Sequence, residues 1–420
     1  MADPLRILWL KTGPLHPLDT GGKLRTYHLL RELNRCHHVT YFALRDGDST
    51  EDPSIFDQAT EYSSEQRWFD WREVPKATPG FYLDLLKNYC FSSRPYVIDK
   101  YVSREMAAAI RILDEEGKLD LIICDFLTPA INLFPAGNDR LKAPTMIFQH
   151  NVEAQIWRRM AEQAGNVVQR TYLRGQWRRM QAYEAASCRV ADAVVSVSEG
   201  DSRQMREEYG LSNVLGHVST GVDIDYFSDT ARTERRRGGK DIVFLGSMDW
   251  LPNIDAVEFF TETMWSKIRS AQPEARLVIV GRRPTPAVKA LADQDPSIEV
   301  TGTVPDVRPF VSQAAAVVVP LRIGGGTRIK IYEAMSMGVP VVSTTIGAEG
   351  LDVTHGKNIL LADDPETFVA ATLEILGDPE VRERIGRAGA LHVREHYSWP
   401  VVAREFEQLC QQTVARRTVE

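Results

Sequence analysis

Three glycines, a threonine, two cations and a carboxylate fall together in the run Gly324-Gly325-Gly326-Thr327-Arg328-Ile329-Lys330-Ile331-Tyr332-Glu333. Glycine lets backbone amides approach a ligand closely, and a helix N-terminus adds unpaired N–H donors and a partial positive charge. Thr327 is a fit N-cap for such a helix. Lys330 and Glu333, three residues apart, share a face of its first turns. An ammonium beside a helix N-terminus suits a phosphate, and a carboxylate on the same face can accept both hydroxyls of a ribose diol. Nucleotide binding is the chemistry these types can do together. The plainer alternative is an exposed Lys330–Glu333 ion pair worth about 0.2–0.5 kcal/mol, beside a loose glycine turn.

Other candidates are single residues. His150 stands at the carboxyl end of the apolar run 145–149, where doubly wound sheets place ligands; the alternative is a histidine satisfied in the core. Gly21 and Gly22 precede a helix-like stretch, either as a phosphate-approaching loop or as a plain turn. Asn253, just after Pro252, is either a helix N-cap or a ligand contact. Asp223-Ile224-Asp225 has the spacing of a metal-binding acid pair, and His392-Val393-Arg394-Glu395-His396 the order of an inverted zinc-peptidase motif. The first spacing is common by chance and the second lies within a surface-helix pattern, so neither a metal nor another cofactor is expected.

The elements that must position these residues alternate along the chain. Residues 6–10, 39–44, 119–125, 145–149 and 193–197 read as short apolar strands, with helices at 23–33, 103–116 and a long one across 152–191. After a charged, glycine-containing break at 229–240, strands recur at 241–245, 276–280, 298–301, 316–319, 339–343 and 359–361. Helices fit between them at 253–271, 286–293, 307–315 and 327–337, the last closed by Gly338. Alternation of this kind implies parallel sheets with helices on both faces, built as two tandem α/β domains.

Composition bounds the rest. A chain of 420 residues exceeds one ordinary core, and 43% hydrophobic with 25% charged residues is a globular composition. A net charge of −7 argues against a nucleic-acid binder. Five scattered cysteines, odd in number and without a CxxC pair, suit reduced thiols in a cytoplasmic protein. No apolar run is long enough for a signal peptide or a membrane span. The helical region after His150 interleaves Trp157, Arg158, Arg159, Trp177, Arg178 and Arg179, a pattern that suits peripheral contact with an anionic membrane at its inner face. The alternative is a solvated helix whose tryptophans face the core.

In order and spacing the chain resembles the GT-B glycosyltransferases, and within them the retaining glycosyltransferase family 4. The resemblance runs from Asp19-Thr20-Gly21-Gly22 to Tyr397-Ser398-Trp399. It is closest at Gly246-Ser247-Met248-Asp249-Trp250-Leu251-Pro252-Asn253, Val280-Gly281-Arg282, Gly302-Thr303-Val304-Pro305-Asp306-Val307 and Thr344-Thr345-Ile346-Gly347-Ala348-Glu349-Gly350. It implies two Rossmann-like domains facing across a cleft: residues 1–220 on the acceptor side, a linker over 221–240, and 241–395 holding the donor. Residues 396–420 would form a helix crossing back to the first domain. The resemblance also implies that Glu333 accepts the ribose hydroxyls and that Lys330 neutralises the diphosphate, helped by amides near Gly326 and Thr327. Val304 would meet the base, Gly21 and Gly22 the phosphates, and His150 the donor sugar.

Two departures stand out. The family usually carries a second glutamate eight residues before Glu333, where this chain has Gly325. An arginine common after the first strand of the donor domain is replaced by Ser247-Met248-Asp249-Trp250, so Arg282 or Arg328 would supply that charge. The expectation is a retaining transferase that moves a sugar from a nucleoside diphosphate sugar, expected to be a UDP-sugar, to an acceptor hydroxyl in polysaccharide or glycolipid assembly. A nucleotide-sugar epimerase of the same fold and a non-catalytic nucleotide-sugar binder are the alternatives.

Overall fold

The structure, a computed structural model, describes residues 3–46, 54–75, 78–135, 137, 140–162, 164–233, 239–323 and 329–419. It divides into two units, Met1–Ser219 with Val402–Glu420, and Thr220–Val401.

In the first unit seven strands form one parallel sheet. They are β1 (Arg6–Lys11), β2 (His38–Asp46), β3 (Glu65–Trp71), β4 (Leu121–Asp125), β5 (Thr145–Phe148), β6 (Ala193–Ser196) and β7 (Val214–His217). Their order is β3-β2-β1-β4-β5-β6-β7. The central strands are near-continuous apolar runs because helices cover both faces, and all of β4 and β5 is buried. The edges read differently. In β3 only Phe69 is fully buried, and β7 is a four-residue strand with one buried residue, so neither announces itself in the sequence. The stretch read as one long helix is two, Glu153–Glu162 and Val167–Val190. Gly165 falls at the break, and Asn166 caps the second helix by accepting from the Gln169 amide at 2.8 Å.

The second unit repeats the design with β8 (Asp241–Leu245), β9 (Arg276–Val280), β10 (Ile298–Gly302), β11 (Ala316–Val319), β12 (Val341–Ser343) and β13 (Leu360–Leu361), all parallel. Their order is β10-β9-β8-β11-β12-β13. Both sheets are therefore doubly wound, and each reverses its winding once: at β1/β4 in the first and at β8/β11 in the second. The crevice at the carboxyl ends of such a strand pair is where this fold receives ligands.

Segment 221–240, expected as a linker, contains the helix Ile224–Thr233, whose Ile224 and Phe227 pack on the core of the second unit. The last helix, Trp399–Val419, belongs to the first unit from Val402 onward. Its Phe406 is fully buried, with its ring 5.8 Å from that of Trp9 and 4.9 Å from that of Phe148. Among the described residues no helix is long and apolar enough to cross a membrane.

Candidate functional site

In the second unit the winding reversal brings together loops that lie far apart in sequence. Lys330 rises from the helix Ile329–Ser336 that follows β11 and reaches across to the end of β8. Its Nζ donates to the Leu245 carbonyl at 2.8 Å and to Asn253 Oδ1 at 3.0 Å, above the Phe244 ring. Asn253 is buried and donates in turn to the Ser247 carbonyl at 2.9 Å. It is not the N-cap weighed from sequence: the helix Leu251–Phe260 starts two residues earlier after an extended Trp250, with Pro252 tolerated in the first turn. Its side chain instead ties Lys330 to the β8 loop. That loop is pressed close to its neighbour, since a Cβ on Gly281 would sit 1.7 Å from the Gly246 carbonyl oxygen.

Glu333, one turn beyond Lys330, does not form the ion pair that the plainer sequence alternative required. Among the described residues its carboxylate has no hydrogen-bond or ion-pair partner. Although some of its surface remains open, protein atoms crowd the group, and that burial pushes its pKa up to about 7 against the pull of Lys330. A carboxylate left without donors at a ligand crevice is a ready acceptor. Arg282 follows β9, is exposed, and donates through Nε to Ser247 Oγ at 2.9 Å, on the loop that lacks the family arginine. Val304 lies two residues past β10, partly buried against the core. Gly325, Gly326, Thr327 and Arg328 lie outside the described residues.

The first unit gathers a buried polar cluster at its own reversal. Lys11 ends β1 and Asp125 ends β4. Lys11 Nζ donates to Asp125 Oδ2 at 2.6 Å and to Thr26 Oγ1 at 2.8 Å. Thr26 Oγ1 and Trp9 Nε1 also donate to Asp125 Oδ2, at 2.6 and 3.1 Å. On the other side His150 Nε2 approaches Asp125 Oδ1 at 2.7 Å, close enough for attraction but off the line of a full hydrogen bond. Burial opposes ionisation of Asp125, yet Lys11 and His150 overcome it and hold the carboxyl well below its usual range.

His150 is therefore a neutral ring. Arg25 Nη1 lies 3.1 Å from its Nδ1, and a guanidinium can only donate, so Nδ1 accepts and Nε2 carries the proton toward Asp125. Burial drives the imidazole pKa down to about 3 despite Asp125. The ring stacks on Phe126 with centroids 3.8 Å apart. Gly22 makes room for this: a Cβ there would meet the Phe126 ring at 3.0 Å and His150 Nδ1 at 3.8 Å. Gly21 and Gly22 are not loop residues but the first turn of the helix Gly21–Leu33, capped by Thr20. The loop that carries His150 is clamped by the buried Glu184. Its Oε1 accepts from Gln149 Nε2 and the Glu153 amide, both at 2.8 Å. Its Oε2 accepts from the Ala154 amide at 3.0 Å and the Tyr209 hydroxyl at 2.7 Å.

Lys11, Arg25, Thr26, Asp125 and Glu184 were not singled out from sequence. A lysine and an aspartate closing two apolar strands were a visible signal, but only the strand order makes them neighbours. The residues of the aromatic–basic region divide between core and surface. Trp157 and Trp177 pack inward on a small core cluster, Arg158 pairs with Glu162, and Arg179 donates to the carbonyls of Asn88 and Tyr89. Arg159 and Arg178 stand exposed without such a contact among the described residues. Of the set-aside motifs, Asp223 caps the Tyr226 amide at 3.0 Å, and His392 Nε2 contacts the Asp352 carbonyl.

Two family models match the chain: Glycosyltransferase Family 4 over residues 20–226 and Glycosyl transferases group 1 over residues 239–378. A GDP-mannose-dependent monoacylated alpha-(1-6)-phosphatidylinositol monomannoside mannosyltransferase of Corynebacterium glutamicum is 25% identical over 237 residues, 52% of this chain and 62% of that protein. The chain thus spans less than two thirds of that relative's length. Among solved structures, sucrose-phosphate synthase of Thermosynechococcus elongatus superposes with a TM-score of 0.66 at 16% identity, covering 98% of this chain and 100% of that one. Anabaena HepE in complex with UDP gives 0.65 at 14% identity, covering 97% and 100%. At these identities the structural likeness is one of fold.

Proposed function

We propose that this chain, which belongs to the GT-B glycosyltransferases, moves a sugar from uridine diphosphate to an acceptor hydroxyl with retention of anomeric configuration and without a metal, in polysaccharide or glycolipid assembly. The observation that carries the reading is the pairing, on one helix at the β8/β11 reversal, of an anchored Lys330 with a crowded Glu333 whose carboxylate has no partner among the described residues. Lys330 would offset charge on the departing diphosphate, and its anchors at Leu245 and Asn253 hold it in place before the charge develops. Glu333 would accept the two ribose hydroxyls.

In the proposed step the bond from the anomeric carbon to the phosphate oxygen breaks. The acceptor oxygen bonds to that carbon on the same face, and its proton passes to the departing phosphate. No carboxylate nucleophile is needed. His150 would shape the reversal of the first unit rather than carry a proton, since its Nδ1 accepts from Arg25 and its Nε2 faces the buried Asp125. The metal-free reading draws support from Asp223, whose side chain is committed to a helix cap.

UDP as carrier is supported by the ligand of Anabaena HepE, whereas the corynebacterial relative is named for GDP-mannose. A thermal-shift panel of UDP, GDP and ADP separates these. Ligand at a hundred times its Kd stabilises the binding fold by about 2.7 kcal/mol. The proposal expects UDP to raise Tm, in buffer with or without a chelator. A shift by GDP alone would overturn the base, and no shift with any nucleotide would overturn the site.

A further inference from the structure

We infer that the first unit docks on an anionic phospholipid bilayer through an apolar helix face that the structure leaves in water. The helix Pro79–Phe91 is turned inside out: its one buried residue is Asn88, while Tyr82, Leu83 and Leu86 look outward. These three sit at helical spacing on one face, and Lys87 flanks them. Leu86 is 59% exposed, and Phe91, at the end of the helix, is 89% exposed. Solvated helices place such residues inward, and a face this apolar needs an occupant.

The neighbouring helices extend the surface. Tyr89 packs on Tyr172 and against Gly175, and Asn88 accepts from Gln176, which joins the helix to Val167–Val190. That helix shows solvent a stripe of Val167, Thr171, Arg174 and Arg178, with Val168 beside it at 81% exposed. On Glu153–Glu162 the outward residues include Ile156, Arg159 and Met160. Charge selects the occupant. The chain as a whole carries −7, yet these three helices hold Lys87 and seven arginines against Asp84, Glu153, Glu162 and Glu184, the last wholly buried. Apolar side chains among arginines match the boundary between acyl chains and anionic headgroups, where each kind of side chain finds its own layer.

The test is co-sedimentation of the full chain with vesicles of phosphatidylcholine alone or mixed with phosphatidylglycerol. The protein should pellet with the mixed vesicles, less so as salt rises, and remain in solution with phosphatidylcholine alone. Leu83→Glu with Leu86→Glu should weaken binding about tenfold or more, and Arg174→Glu with Arg178→Glu about tenfold. All four side chains are exposed, so both double variants should fold, and their UDP thermal shift should match wild type. Docking and donor binding can therefore fail separately. Absence of wild-type binding to mixed vesicles, or equal binding by either double variant, would overturn the inference. So would self-association of the wild type that the Leu83/Leu86 variant abolishes, which would make a second copy the occupant.

Discussion

The proposed ribose contact of Glu333 would tie nucleotide affinity to pH with a calculable size. Burial holds its carboxyl near 7 in the empty protein, against 4.5 for an ordinary glutamate. At 1.36 kcal/mol per pH unit, ionising it costs about 3 kcal/mol more than in water, an upper figure for a side chain that keeps some solvent. A ribose diol donates to the ionised form, so binding should release a proton whenever the solution lies below pH 7. If only the ionised form binds, affinity falls by a factor that approaches about tenfold per pH unit well below 7, or about sixteenfold between pH 7 and 5.5. Isothermal titration calorimetry with UDP across pH 5.5–8.5 measures this, and buffers of different ionisation enthalpy count the released proton. The terminal phosphate of UDP titrates near 6 by itself, and Glu333→Gln separates the two. That variant should bind more weakly at pH 8 and lose the steeper part of the slope. Because a raised carboxyl destabilises the fold as pH climbs from 4.5 through 7, the empty variant should also be more stable than wild type at pH 8, by about 1–3 kcal/mol. An identical slope in wild type and variant, or UDP affinity unchanged by Glu333→Ala, would refute the reasoning.

Other perturbations follow from the same contacts. Asn253→Ala removes one anchor of Lys330 and should lower UDP affinity about tenfold while far-UV circular dichroism stays native; unaltered affinity would deny Asn253 its place. His150→Ala should cut turnover and leave UDP binding intact, and the wild-type kcat profile should show no ionisation near 6.5 that vanishes in the variant, because the ring stays neutral to about pH 3. Asp125→Ala strands Lys11 in the core and should destabilise the first unit by about 3–5 kcal/mol in urea titration, and a loss below 1 kcal/mol would mean Lys11 is not held by that carboxylate. Gly281→Ala puts a methyl 1.7 Å from a backbone oxygen, so it should unfold the second unit or lower Tm sharply.

The central strands were legible because a strand buried on both faces must be a continuous apolar run. Asp241–Leu245, Arg276–Val280 and Ala316–Val319 fall where hydrophobicity puts them. Edge strands such as β3 carry no such demand, and Glu65–Trp71 passes for loop. Within the site, Lys330 and Glu333 could be related from sequence because three residues on one helix is local geometry. What Lys330 touches could not: Leu245 and Asn253 precede it by 85 and 77 residues, and only the sheet order joins them. The same holds for Asp125 beside Lys11 and His150. Which way the tryptophans of the basic region face was left open by the sequence for a related reason. Interleaving with arginine is seen in one dimension, whereas the facing of Trp157 and Trp177 is set by the helix hairpin around them.

The proposed transfer is tested most directly by one measurement: incubation of the chain with a UDP-sugar and an extract of lipid and polysaccharide acceptors, following UDP release together with the anomeric configuration of the product by NMR. It predicts UDP released in step with sugar joined to acceptor, the anomer of the donor preserved, and loss of both in Lys330→Ala. UDP binding without release, release of free sugar alone, or an inverted product would contradict it.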